Sequence, residues 1–157
     1  MHVFVLRHGQ AEMQQTTDEA RNLTAKGRSD VAAAVRVSLP DLRGIQEIWA
    51  SPLIRAQQTA QIVCDILAAQ GIHPIVKTID NIAPESQPEA VFDMLQASHS
   101  HSILLASHQP FVGNFIGSFC GGPSGAYPMD TSSMALIECD MAAKSCGKLR
   151  WLRHVPG

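Results

Sequence analysis

Residues 3–6, Val-Phe-Val-Leu, are apolar at every position, and Ile-Leu-Leu-Ala at 103–106 repeats the pattern. A strand with one wet face alternates apolar and polar residues, so an unbroken apolar run reads as a strand covered on both faces. Covering both faces calls for helices on either side of a sheet. The 157-residue chain is long enough for one domain with a sizeable core.

The intervening segments supply those helices. Thr24 is a suitable N-cap for a helix whose stripe is Val31, Ala34, Val35 and Leu39, with Pro40 at its end. A second strand is expected over 45–50. Ser51-Pro52 then reads as N-cap and first helical position, opening a helix to about Ala69 with Gly71 as its stop. A strand at 75–79 and a helix from Pro88 follow. The apolar run at 103–106 leads into a helix over 111–119, and two strands at 133–139 and 148–154 pair as an antiparallel hairpin. The expected fold class is α/β: a three-layer sandwich with a mostly parallel central sheet and an antiparallel C-terminal edge hairpin. Gly113 and Gly117 read as a small-residue face for close helix packing.

Net charge is −2, against the basic balance of a general nucleic-acid binder. Seven of the twelve Lys and Arg residues nevertheless lie in the first 55 positions, which suits a local anion site there. The four cysteines lack zinc-type spacing and read as free thiols. No signal peptide or membrane span is legible, so the expected location is the cytoplasm.

Chemistry gathers at three strand ends. The first run leads into Arg7-His8-Gly9, the second strand into Ser51 with Arg55 one turn later, and the third into Ser107-His108. Neighbouring parallel strands lie about 4.8 Å apart, so these side chains can meet on one ligand. Open α/β sheets place their sites at this edge, where helix N-termini add unpaired N–H groups. Singly, each residue has a plain reading: a surface histidine, a solvated arginine, a helix cap. Arg55 is the exception, because a cation in a first helical turn opposes the helix dipole and favours an anion nearby. Taken together, an imidazole nucleophile beside guanidinium clamps points to phosphoryl transfer through a phosphohistidine. His99 and His101 lack partners for a metal site.

Leu6-Arg7-His8-Gly9, Arg21-Asn22-Leu23-Thr24, the run from Ser51-Pro52 through Arg55 to Thr59, and Ser107-His108 resemble the histidine phosphatase superfamily, whose fold is phosphoglycerate mutase-like. The resemblance spans nearly the whole chain as one domain, residues 1–157. It is strongest to SixA-type phosphohistidine phosphatases, on the short chain, the place of Arg21, and the run from Ser107-His108-Gln109-Pro110 to Gly113. It implies His8 as nucleophile and Arg7, Arg21, Arg55 and His108 as the phosphate pocket. It further implies a phosphohistidine-bearing protein substrate such as a histidine-containing phosphotransfer domain, a monomer, and no metal or other cofactor.

Phosphate-ester enzymes of this superfamily carry an acid for the leaving oxygen. Glu85, Asp80 and Glu89 are the candidates here, and no motif selects one. An alkoxide needs that acid more than a departing imidazole does, which tilts the expectation toward a P–N substrate. Two other readings stand beside it: a small-molecule phosphomonoesterase or mutase, and a non-catalytic phosphohistidine-binding module.

Overall fold

A computed structural model describes residues 1–14, 16–123 and 125–156. Its strands are β1 (His2–Arg7), β2 (Glu47–Ala50), β3 (Ile75–Thr78), β4 (Ser102–Ser107), β5 (Met134–Cys139) and β6 (Gly147–Arg153). Its α-helices are α1 (Ala25–Val37), α2 (Leu39–Leu42), α3 (Ile54–Ala68), α4 (Pro88–Ala97) and α5 (Phe111–Cys120). The six strands form one sheet in the order β3-β2-β4-β1-β5-β6. The first four run parallel, and β5 and β6 are antiparallel to their neighbours.

The unbroken apolar runs divide between two cores by the period of two that a strand imposes. Val3, Val5, Ile103 and Leu105 join Val91, Phe92, Leu95 and the α5 phenylalanines on one face. Phe4, Leu6, Leu104 and Ala106 join Val31, Val35, Ala60, Val63 and Leu67 of α1 and α3 on the other. Phe111, Phe115 and Phe119 recur every four residues of α5, and Phe115 stacks on Phe92 at 5.3 Å between centroids. The sandwich has three layers, as its sequence pattern requires.

Several boundaries differ from expectation. Thr24 does cap α1, its Oγ1 accepting from the Gly27 N–H at 3.0 Å. The chain breaks at Ser38 instead of continuing to Pro40, which sits inside the first turn of α2, where its missing N–H costs nothing. Pro52 precedes α3 instead of opening it. Ser51 N–H donates to the Ala106 carbonyl at 3.0 Å, so the β2–β4 ladder runs one residue further and the helix starts later. Ser51 is therefore no N-cap of that helix; α3 has no side-chain cap at all. Strand β2 starts at Glu47, because Ile45 N–H is engaged in a turn with the Leu42 carbonyl. The pair Gly113 and Gly117 packs on no other helix: a Cβ at Gly113 would meet the Gln109 side chain, and one at Gly117 would meet nothing within 4 Å.

Candidate active site

Register brings the three strand ends together. Arg7 of β1 pairs with Ser107 of β4, and Ala50 of β2 pairs with Ala106 on the other side of β4. One residue beyond the paired ends stand His8 and His108. His8 N–H donates to the Ser107 carbonyl at 2.9 Å, and the two imidazole centroids are 4.9 Å apart. Both rings are buried.

Just after His8 two glycines let two backbone segments approach closely. A Cβ on Gly9 would lie 2.7 Å from the Gly27 carbonyl, and one on Gly27 would lie 2.1 Å from the Gln10 carbonyl. The N-terminus of α1 therefore presses directly on the backbone that carries His8. Thr59 of α3 ties the same turn to Arg55: its Oγ1 accepts from Gly9 N–H at 3.3 Å and donates to the Arg55 carbonyl at 2.8 Å.

Two hydrogen bonds assign the His8 tautomer. Nδ1 is 2.7 Å from the Gly9 carbonyl and must donate to it, while Arg55 Nε–H donates to Nε2 at 3.2 Å. The lone pair is thus on Nε2. Burial pushes the His8 pKa down to about 4; the Gly9 bond opposes this, and the charges of Arg55, Arg7 and Arg21 add to it. The ring is neutral, hence nucleophilic, across the physiological range.

His108 is held from its Nε2 side. Its Nε2 lies 2.7 Å from Ser51 Oγ, and that oxygen already accepts the Leu53 N–H at 3.3 Å. The Ser51 hydroxyl can donate its remaining proton to His108 Nε2, and in that arrangement the ring proton is on Nδ1. Burial, then His8 and Arg55, lower the His108 pKa to about 3, with Asp18 opposing. Its Nδ1 is one of three buried polar side-chain atoms without a partner among the described residues; the others are Arg7 Nε and Ser132 Oγ. Buried polar atoms are rarely left unpaired, and the Arg7 Nε–H, with His108 Nδ1 in its protonated tautomer, suits an anion beside His8.

The guanidiniums differ in how they are held. Arg55 is only 4% exposed and reaches His8 from the first turn of α3. Arg7 is half-buried and fixed by its Nη1 donating to the Met129 carbonyl at 2.8 Å. Its pKa is lowered by burial, against the pull of Asp130 and with the push of Arg55. Arg21 comes from the loop between β1 and α1, whose neck is closed by an Ala11–Leu23 bridge. Its Nε donates to the Glu12 carbonyl at 2.7 Å.

Asp18 is the residue that sequence reading missed. It opens a 3₁₀ turn, Asp18–Ala20, in that same loop. Its carboxylate bridges Arg55 Nη2 and Arg21 Nη1, each at 3.1 Å. Burial alone would raise its pKa, but the hydrogen bonds from Arg21 and Arg55 hold it below the usual carboxylate range. Only an acid between two expected pocket arginines could have flagged it, and acidic loop residues are too common for that. Asp80, Glu85 and Glu89, by contrast, are all exposed. Among the described residues no group of three or more His, Cys, Asp or Glu is gathered to hold a metal ion.

The fold and the site define a class: an α/β protein with guanidiniums and paired imidazoles gathered at the carboxyl edge of its parallel strands. The model of the histidine phosphatase superfamily (branch 1) matches residues 3–77. The chain is 26% identical over 151 residues to the phosphohistidine phosphatase SixA of Escherichia coli, covering 96% of this chain and 92% of that protein. It is 28% identical over 138 residues to the SixA homolog of Haemophilus influenzae, covering 82% and 84%. A solved structure of the protein histidine phosphatase SixA complexed with tungstate superposes with a TM-score of 0.86 at 28% identity, covering 98% of this chain and 97% of that one. The chain belongs to the histidine phosphatase superfamily, and its similarity within it is to SixA.

Proposed function

We propose that the protein is a phosphohistidine phosphatase that removes phosphate from a histidine of another protein through a phospho-His8 intermediate. The observation that carries this reading is the His8 tautomer, with a neutral Nε2 lone pair facing the Arg55 guanidinium. The likeness to SixA supports the substrate class, and tungstate in that relative's structure is a tetrahedral oxyanion like phosphate.

His8 Nε2 attacks phosphorus in line while the P–N bond to the substrate imidazole breaks, and the departing ring takes up one proton from solvent. Water then attacks the phospho-His8, releasing inorganic phosphate and restoring the Nε2 lone pair. Arg7, Arg21 and Arg55 face the equatorial oxygens, whose charge the transition state spreads. Guanidiniums suit this because their planar forks donate paired hydrogen bonds and stay charged. His108 donates from Nδ1 to a further phosphoryl oxygen. The substrate is a histidine-containing phosphotransfer domain, met by one 1–157 domain acting as a monomer in the cytoplasm. No helix among the described residues is long and apolar enough to cross a membrane.

The test is a trapped phosphoenzyme. Mixing the protein with a phosphorylated phosphotransfer domain is expected to give an acid-labile phosphoprotein that His8→Ala cannot form. A panel of phosphate esters run alongside is expected to turn over more slowly. Faster ester hydrolysis would transfer the reading to a phosphomonoesterase, and phosphate binding without any release would leave only a binding module.

A further inference from the structure

One edge of the Arg55 guanidinium serves two partners. Nε and Nη2 lie on the same side of the planar group, the side that normally grips an oxyanion with two parallel bonds. Here Nε donates to His8 Nε2 and Nη2 donates to Asp18 Oδ2. A phosphoryl group on His8 Nε2 must face that same edge, because Arg55 Nε is only 3.2 Å from the nucleophile. The second donor it needs is the one that Asp18 holds. Asp18 also holds Nη1 of Arg21, the other loop-side guanidinium.

We propose that Asp18 is an internal competitor for the phosphate seat, which an incoming phosphoryl group displaces from Arg55 and Arg21. This rests on the pocket reading given above and adds a specificity-determining residue to it. The displacement is local. The loop neck stays pinned to α3, since Gln58 accepts from Leu23 N–H and donates to Asn22 Oδ1, both at 2.8 Å. The Asp18 main-chain carbonyl takes Arg55 Nη1 at 2.8 Å, off the shared edge, so that contact survives. Rotation of one side chain, 43% exposed, is enough to clear the seat. A carboxylate brings one negative charge and two oxygens; a terminal phosphoryl group brings up to two charges and three oxygens. The exchange therefore favours terminal phosphoryl groups over singly charged anions, and the seated Asp18 carboxylate keeps the arginines from gripping ordinary carboxylates.

The sign of one measurement decides. Inorganic phosphate is titrated calorimetrically into wild type, Asp18→Asn and Arg55→Ala, with no turnover required. Competition predicts that Asp18→Asn binds phosphate roughly tenfold more tightly, the scale of two partly exposed ion pairs no longer opposing the ligand. In Asp18→Ala, added acetate should weaken phosphate binding, and in wild type it should not. Unchanged or weaker phosphate binding in Asp18→Asn, with wild type binding normally, overturns the proposal and makes Asp18 a support for the arginines. If wild type and Arg55→Ala bind phosphate equally poorly, the pocket reading itself falls and the competition with it.

Discussion

Replacing His8 by Asn tests the burial of this imidazole through stability alone. Burial holds the His8 pKa at about 4, against 6.5 when the ring is solvated. Between those values the unfolded chain carries a proton that the folded chain lacks. Stability from neutral His8 is whole above pH 6.5, is lost as pH falls through the window, and levels off below about 4. Each pH unit is worth about 1.4 kcal/mol, so the whole window is worth about 3 kcal/mol. Between pH 6 and 4.5 the loss is about 2 kcal/mol. The ring is only 6% exposed, so solvent screening takes little from this. Other groups add slopes of the same sign. His108 lies at about 3, and the depressed Asp18 and Glu47 carboxyls lose their contribution in stronger acid. The difference between wild type and variant removes these. Urea unfolding followed by circular dichroism at half-unit steps from pH 7 to 4.5 is expected to show the wild type losing about 2 kcal/mol more than His8→Asn over the lower part of the range. Parallel profiles would refute the reasoning, because His8 would then titrate alike in both states.

Three further outcomes follow from single contacts. Arg55→Ala is expected to lower turnover of a phosphohistidine substrate by roughly 10²-fold or more, the scale of removing a transition-state donor, as read from phosphate release. Gly27→Ala drives a Cβ toward the Gln10 carbonyl and should cost at least about 2 kcal/mol in urea melts while slowing turnover by shifting the backbone beside His8. Ser51→Ala strips His108 Nε2 of its partner; a loss of about 1–3 kcal/mol is expected, with Ser51→Thr recovering part of it.

Much of the architecture was legible because strand and helix periods are local. The run 102–107 is a strand as expected, Thr24 caps its helix, and Pro88 opens α4. Errors fell where a tertiary partner overrode a local preference. Ser51 has the signature of a helix cap, yet the β4 ladder holds its backbone and His108 takes its hydroxyl. The buried Glu47 was also unmarked. It sits at the opposite end of β2 from the site and binds Trp49 Nε1, Ser98, Ser100 and Lys77, which outweigh the cost of burial and hold its pKa at about 2. Nothing in an isolated Glu-Ile-Trp run announces such a cluster.

Sequence by itself determined the layers and supplied the candidate site residues. Unbroken apolar runs, flanked by stripes of period near four, admit a sheet between helices, and the order of Arg7, His8, Arg21, Arg55 and His108 points to phosphoryl chemistry. The tertiary structure decided which atoms face one another. The His8 Nε2 lone pair against Arg55 Nε, His108 Nε2 against Ser51 and Asp18 across the Arg55 edge depend on contacts between residues 37 to 57 positions apart. Strand register and the packing of α3 set those contacts, and no local period in the chain encodes them.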